Sequence, residues 1–320
     1  MALTLEQYAT YLDTRGLLWP EPAKLERPNA EPYLEPLPDV RVVTWNVYGT
    51  LLVVSDGQLY FEHPQAFVME VALEKTIQEF KMWASMSRKP GKPSAYLLEM
   101  YRELVGRRQV GSGASGERHP AVRSDEVWEE IVKRLMKNQY EFDVGFYGSL
   151  NQYAEKIAYF FHQSLQTPVA YPGTLEALNW LKDQRVASGL IADGQCFTAL
   201  QLLRALRVQG KVGAVAEVID PELMALSCFV GGRKPSERLY RAAVAKLTER
   251  GINPRQVLHI GPQLQDDLAP ARRLGFRTAL WAGDKSSLAS TVEQLKSKAT
   301  RPDVLLTEMS QIKEVLGTRF

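Results

Sequence analysis

The chain has 320 residues, 45% of them hydrophobic and 24% charged, with a formal net charge of +2. That length holds one large domain or two medium ones, and the balanced charge, with no long basic block, argues against nucleic acid or an anionic membrane as a partner. No apolar run reaches the roughly 18 residues of a membrane-spanning helix, and the opening MALTLEQYAT is too polar for a secretory signal.

Residues 1–37 read as an N-terminal extension. Thr4 can cap a helix carrying Leu5, Tyr8, Tyr11 and Leu12 on one face, either docked on its own chain or offered to a partner. A proline-rich stretch, 19–38, cannot continue that helix. The Val-rich run at 41–48 predicts a strand buried on both faces of a parallel sheet. Residues 55–168 read mainly as helices, at 65–87, 95–105, 125–139 and 152–163. They are broken at 87–93 and by a mobile loop at 106–118 containing GSGASG. The basic residues Arg88, Lys89, Lys92, Arg107 and Arg108 around these breaks read as solvated loop charge, with contact to an anion as the alternative.

From Tyr171 onward strands and helices alternate. Helices are predicted at 173–184, 197–206, 235–249 and 268–274, and strands at 186–192, 212–219, 257–260, 278–281 and 304–306. The alternation predicts an α/β fold, a Rossmann-like parallel sheet with helices on both faces. Ligands bind such sheets outside the carboxyl ends of the strands, which gathers Asn46, Asp193 and the segment after Gly261 around one crevice.

Several segments, in order, resemble the motifs of the haloacid dehalogenase-like (HAD) hydrolase superfamily. Arg41 to Leu52, ending Gly49-Thr50-Leu51, is similar to the first motif. Gly189-Leu-Ile-Ala-Asp-Gly-Gln195 is similar to the second, and Gly231 to Tyr240, with Lys234, to the third. Leu258 to Ala271 is similar to the fourth. Tyr171 to Leu181 resembles the re-entry from a helical cap, and Arg301 to Leu306 the closing strand. The resemblance implies a core at 38–54 and 169–320 and a helical cap at 55–168 inserted after the first motif.

In active members an aspartate attacks phosphorus, and a second aspartate two residues on is the acid/base. Mg²⁺ is held by the nucleophile, a backbone carbonyl and a fourth-motif acid, while a hydroxyl and a lysine hold the phosphoryl oxygens. Here Asn46 falls on the nucleophile, and a neutral amide neither attacks well nor supplies a negative metal ligand. Tyr48 falls on the acid/base, with a phenol pKa near ~10 badly matched to proton shuttling. Ala192 replaces the hydroxyl, and Pro262 an acid of the fourth motif. Thr50, Lys234 and Asp267 survive, with Asp193 and Asp266 as nearby acids.

The expectation is therefore a HAD-fold pseudoenzyme in the cytoplasm, without metal or other cofactor. It would bind a protein partner, or a small anion beside Thr50 and Lys234, or self-associate into a homo-oligomer. The alternative is an active, phosphatase-like hydrolase with rebuilt chemistry on Asp193, Asp266 or Asp267, and only that reading calls for Mg²⁺. A Lys234–Asp267 salt bridge tying the third motif to the fourth is also expected. The scattered histidines His63, His119, His162 and His259 have no metal-ligand spacing, and Cys196 and Cys228 read as buried apolar residues.

Overall fold

A computed structural model describes residues 2–86, 91–110, 116–288, 290–297 and 300–317. Strand β1 (Val42–Trp45) is buried on both faces and pairs in parallel with β4 (Ala187–Ala192) on one side and β6 (Val257–Gly261) on the other. With β5 (Met224–Leu226), β7 (Arg277–Trp281) and β8 (Val304–Leu306) they form a six-stranded parallel sheet in the order β5-β4-β1-β6-β7-β8.

The two-residue period of a strand divides β1 between two cores. Val43 and Trp45 pack with the helices Thr174–Asp183 and Thr198–Gln209. Val42 packs on the other face with Leu239, Tyr240 and Leu247 of the helix Glu237–Glu249. Helices thus cover both faces, the arrangement that lets strands be apolar throughout.

A second, two-stranded ribbon marks where the chain leaves and re-enters this core: β2 (Leu52–Val53) is antiparallel to β3 (Val169–Ala170). The helices between them, among them Ala66–Glu79, Pro93–Gln109, Ser124–Met136 and Leu150–Leu165, gather around a separate aromatic core. There Trp128 stands edge-on to Phe161, with ring centroids 5.1 Å apart.

The first helix, Leu5–Asp13, starts from a capping box between Thr4 and Gln7 and buries Tyr8, Ala9 and Leu12 in that same aromatic core. It is docked on its own chain. The extension then runs back along the sheet. Pro20 O accepts from Thr167 Oγ1 at 2.6 Å, Glu26 O from Lys285 N at 2.6 Å, and Tyr33 bridges to Leu305 on the outer strand β8.

Some expected elements differ. The helix expected at 65–87 ends at Glu79, because Lys81 takes a left-handed φ of 53° that lets both Phe80 and Met82 turn inward; a short helix, Trp83–Met86, follows. The helix expected to stop at residue 105 runs on to Gln109, so 106–109 is not loop. The predicted breaks at 87–90 and 111–115, with Arg88 and Lys89, lie outside the described residues. No strand forms at 212–219. Val212 and Ile219 are buried as loop anchors around the turn Val215–Glu217, and the strand comes later, after Asp220 caps the turn Pro221–Leu223. The helix expected from Leu268 is preceded by a wide turn, Leu264–Leu268, and ends at Arg273.

Candidate functional site

The carboxyl ends of β1, β4 and β6 meet the cap at a cavity of about 340 Å³. Asn46, Tyr48, Asp193, Lys234, Asp266 and Asp267 all line it. Thr50 and Pro262 are buried elsewhere, and Ala192 lies within β4, fully buried.

Asn46 leaves β1 with its N–H donated to Ile260 O at 2.8 Å. Its side-chain Nδ2 donates to Tyr48 O at 2.9 Å, and since a carbonyl only accepts, the amide must present nitrogen there. The Tyr48 carbonyl is thereby engaged by a donor. A cation needs oxygen acceptors converging at such a place. The turn that follows depends on Gly49, at φ 77°, where a Cβ would come within 2.9 Å of Gly57.

The Tyr48 hydroxyl is engaged within the protein. Its hydroxyl donates to Gln201 Oε1 at 2.7 Å and lies 2.9 Å from Thr198 Oγ1, at the start of the following helix. Burial lifts its phenol well above the ordinary tyrosine range.

Lys234 and Asp267 form the expected ion pair, both nearly removed from water. Asp267 also accepts from Gln263 N at 3.0 Å through its other oxygen. Gly261 makes this approach possible, because a Cβ there would lie 2.6 Å from Asp267 Oδ2. Lys234 N donates to Asp193 Oδ1 at 3.0 Å. Burial, partly offset by the Lys234 charge, holds the Asp193 carboxyl above the usual aspartate range. Beneath this layer His259 is fully buried, with Nδ1 3.0 Å from Thr44 Oγ1, and burial pushes its pKa far down.

The anion site expected from Thr50 and Lys234 is not assembled. Thr50 Oγ1 is fully buried, without a hydrogen-bond partner and away from the cavity, and the Lys234 ammonium is held by Asp267. Asp193, Asp266, Asp267 and Glu62 line the cavity against Lys234 and Arg233, so its surroundings oppose a small anion. Mg²⁺ fits no better. Asn46 offers a donor where a carboxylate is needed, and Asp267 is engaged by Lys234. Among the described residues no group of three or more His, Cys, Asp or Glu is arranged to hold a metal.

Gln195 carries a role not assigned from sequence. Its Oε1 accepts from Ser124 N at 2.8 Å and its Nε2 donates to Val122 O at 2.9 Å, both in the cap. Nearby, Arg233 N donates to His119 O and Ala121 N to Gly231 O. Ser236 Oγ donates to Glu117 Oε2 at 2.7 Å. The third-motif loop and the cap are therefore stitched together over the cavity. The only sequence signal was the position of Gln195 directly after Asp193-Gly194. The cysteines are free, and burial raises both thiols, Cys228 to about 12.

Fold and crevice define a Rossmann-like α/β protein with a helical cap over the carboxyl ends of its strands. A family model described as HAD-hydrolase-like matches residues 232–312. Among solved structures the chain is similar to a 2-haloacid dehalogenase from Pseudomonas syringae pv. Tomato DC3000, at 18% identity and TM-score 0.52, covering 87% of this chain and 98% of that one. It is also similar to a HAD phosphatase from Thermococcus onnurineus, at 15% identity and TM-score 0.49, over 87% of this chain and 99% of that one. No curated protein sequence matches it. The family match covers residues 232–312, and the fold of the chain is similar to that of the dehalogenase.

Proposed function

We propose that this HAD-fold protein does not run the aspartyl-phosphate reaction and acts by binding, a cytoplasmic pseudoenzyme whose cap and core meet over a polar cavity. The observation that carries the reading is the Asn46 Nδ2–Tyr48 O hydrogen bond. It puts a neutral donor where the reaction needs a carboxylate nucleophile and a metal-binding oxygen. The Lys234–Asp267 pair and the Tyr48 bonds to Thr198 and Gln201 support it, since each engages a surviving or substituted group with the protein itself. The cavity lining favours a neutral or cationic polar ligand over a small anion. A protein partner or a second copy of the chain belongs to the same proposal, and sedimentation at two concentrations distinguishes self-association. Among the described residues no helix is long and apolar enough to cross a membrane. That observation and the two free cysteines are consistent with the proposed location. Assay of Mg²⁺-dependent aryl phosphate hydrolysis tests the reading, and the expected result is no turnover above buffer.

One observation favours a second reading. Asp193 lines the cavity with a raised carboxyl pKa, the property a rebuilt general base would have. An Asp193→Asn variant that abolishes a genuine hydrolytic rate would establish it.

A further inference from the structure

The opposite pole of the sheet carries charge of a different kind. Parallel pairing of β6, β7 and β8 places their amino ends side by side, at roughly 4.8 Å per strand. Arg255 lies just before β6, Arg277 opens β7 and Arg301 lies just before β8, while Arg272 lies in the last turn of the helix Ala269–Arg273 that feeds β7. These arginines, all exposed, surround two adjoining clefts of about 390 and 430 Å³ that share Arg272, Arg277 and Asp303.

The carboxylates there are fewer and already engaged. Asp303 pairs with Arg277 at 3.3 Å, and its other oxygen accepts from Thr278 N at 2.8 Å and Thr278 Oγ1 at 2.9 Å. Glu35 accepts from Tyr33 OH at 2.7 Å. Among the described residues Arg255 and Arg272 pair with no carboxylate, whereas Arg134 and Arg250, elsewhere on the surface, each meet two. Two of the guanidiniums are also held in place. Arg301 lies over the Tyr33 ring, 4.4 Å from its centroid, and Arg272 Nη1 donates to Arg301 O at 2.6 Å.

We propose that these adjoining clefts bind a small molecule bearing two or more phosphate groups. Planar guanidinium forks match phosphate oxygens in pairs, and anchored forks lose less freedom on binding. The two clefts with shared arginines suit two linked anionic groups. An extended polyanion would have to pass the Glu35 and Asp303 carboxylates, so a compact ligand fits better.

Titration calorimetry of the full chain with inorganic pyrophosphate, at low and high ionic strength, tests this, with orthophosphate as the single-group control. The expected result is saturable, salt-sensitive binding at one site, about tenfold or more tighter than orthophosphate. Arg255→Glu and Arg272→Glu should each weaken it about tenfold or more, with unchanged thermal midpoints. Lys137→Glu, the same charge change on the cap, should leave it intact. Binding that does not saturate, or that Lys137→Glu weakens equally, overturns the proposal.

Discussion

At the carboxyl ends of the strands the charged side chains Lys234 and Asp267 close on each other out of water; at the amino ends four arginines stand exposed. Lys234 closes on Asp267, Asn46 on the Tyr48 carbonyl, and the Tyr48 hydroxyl on Thr198 and Gln201. At the other pole Arg272 donates to the Arg301 carbonyl, and among the described residues neither Arg255 nor Arg272 pairs with a carboxylate. Groups that complete each other's hydrogen bonds stabilise the loops that carry them. The same charges in the open contribute little to folding and remain available to a ligand.

The sharpest way to break this contrast is to remove one partner at each pole. Asp267→Ala strands a buried ammonium and leaves Gln263 N without its acceptor, so denaturant unfolding should show a loss of about 3–5 kcal/mol. Arg272→Ala, probed identically, should change stability by no more than about 0.5 kcal/mol. Comparable losses would remove the distinction.

A smaller effect comes from the buried histidines. Burial lowers His162 to about 3 and His259 far below its ordinary value, so both are neutral when folded and gain protons on unfolding. The folded pKa lies below the unfolded one, so stability is complete above pH ~6.5 and is lost as pH falls through and below it. Each group contributes a slope of up to about 1.4 kcal/mol per pH unit. Unfolding curves across that range should flatten in His162→Gln.

Tyr48→Phe leaves Gln201 Oε1 without its donor and should cost about 1–2 kcal/mol, measured by thermal or denaturant melting. It should not create hydrolysis, because the carboxylate nucleophile is still absent.

Much of the frame was legible in the sequence, because a doubly buried parallel strand writes itself as an unbroken apolar run. The strands at 41–48 and 304–306 are of that type, and so is Val257–Gly261. The strand expected at 212–219 failed because Val212 and Ile219 are apolar for another reason, anchoring a loop that Asp220 and Pro221 then turn. At the site, residue identities disclosed what had been replaced. They did not disclose where the replacements point. Neither the Asn46–Tyr48 bond nor the displacement of Thr50 from the cavity follows from spacing. Gln195 joins residues some seventy positions away in the chain, and Arg255, Arg277 and Arg301 converge only through strand order.

The central claim is that Asn46 and its neighbours do not support aspartyl-phosphate chemistry. The most direct test is the rate of Mg²⁺-dependent p-nitrophenyl phosphate hydrolysis by the purified full chain, beside its Lys234→Ala variant. The account predicts that both match buffer. Mg²⁺-dependent turnover by the unaltered chain that disappears in the variant would contradict it.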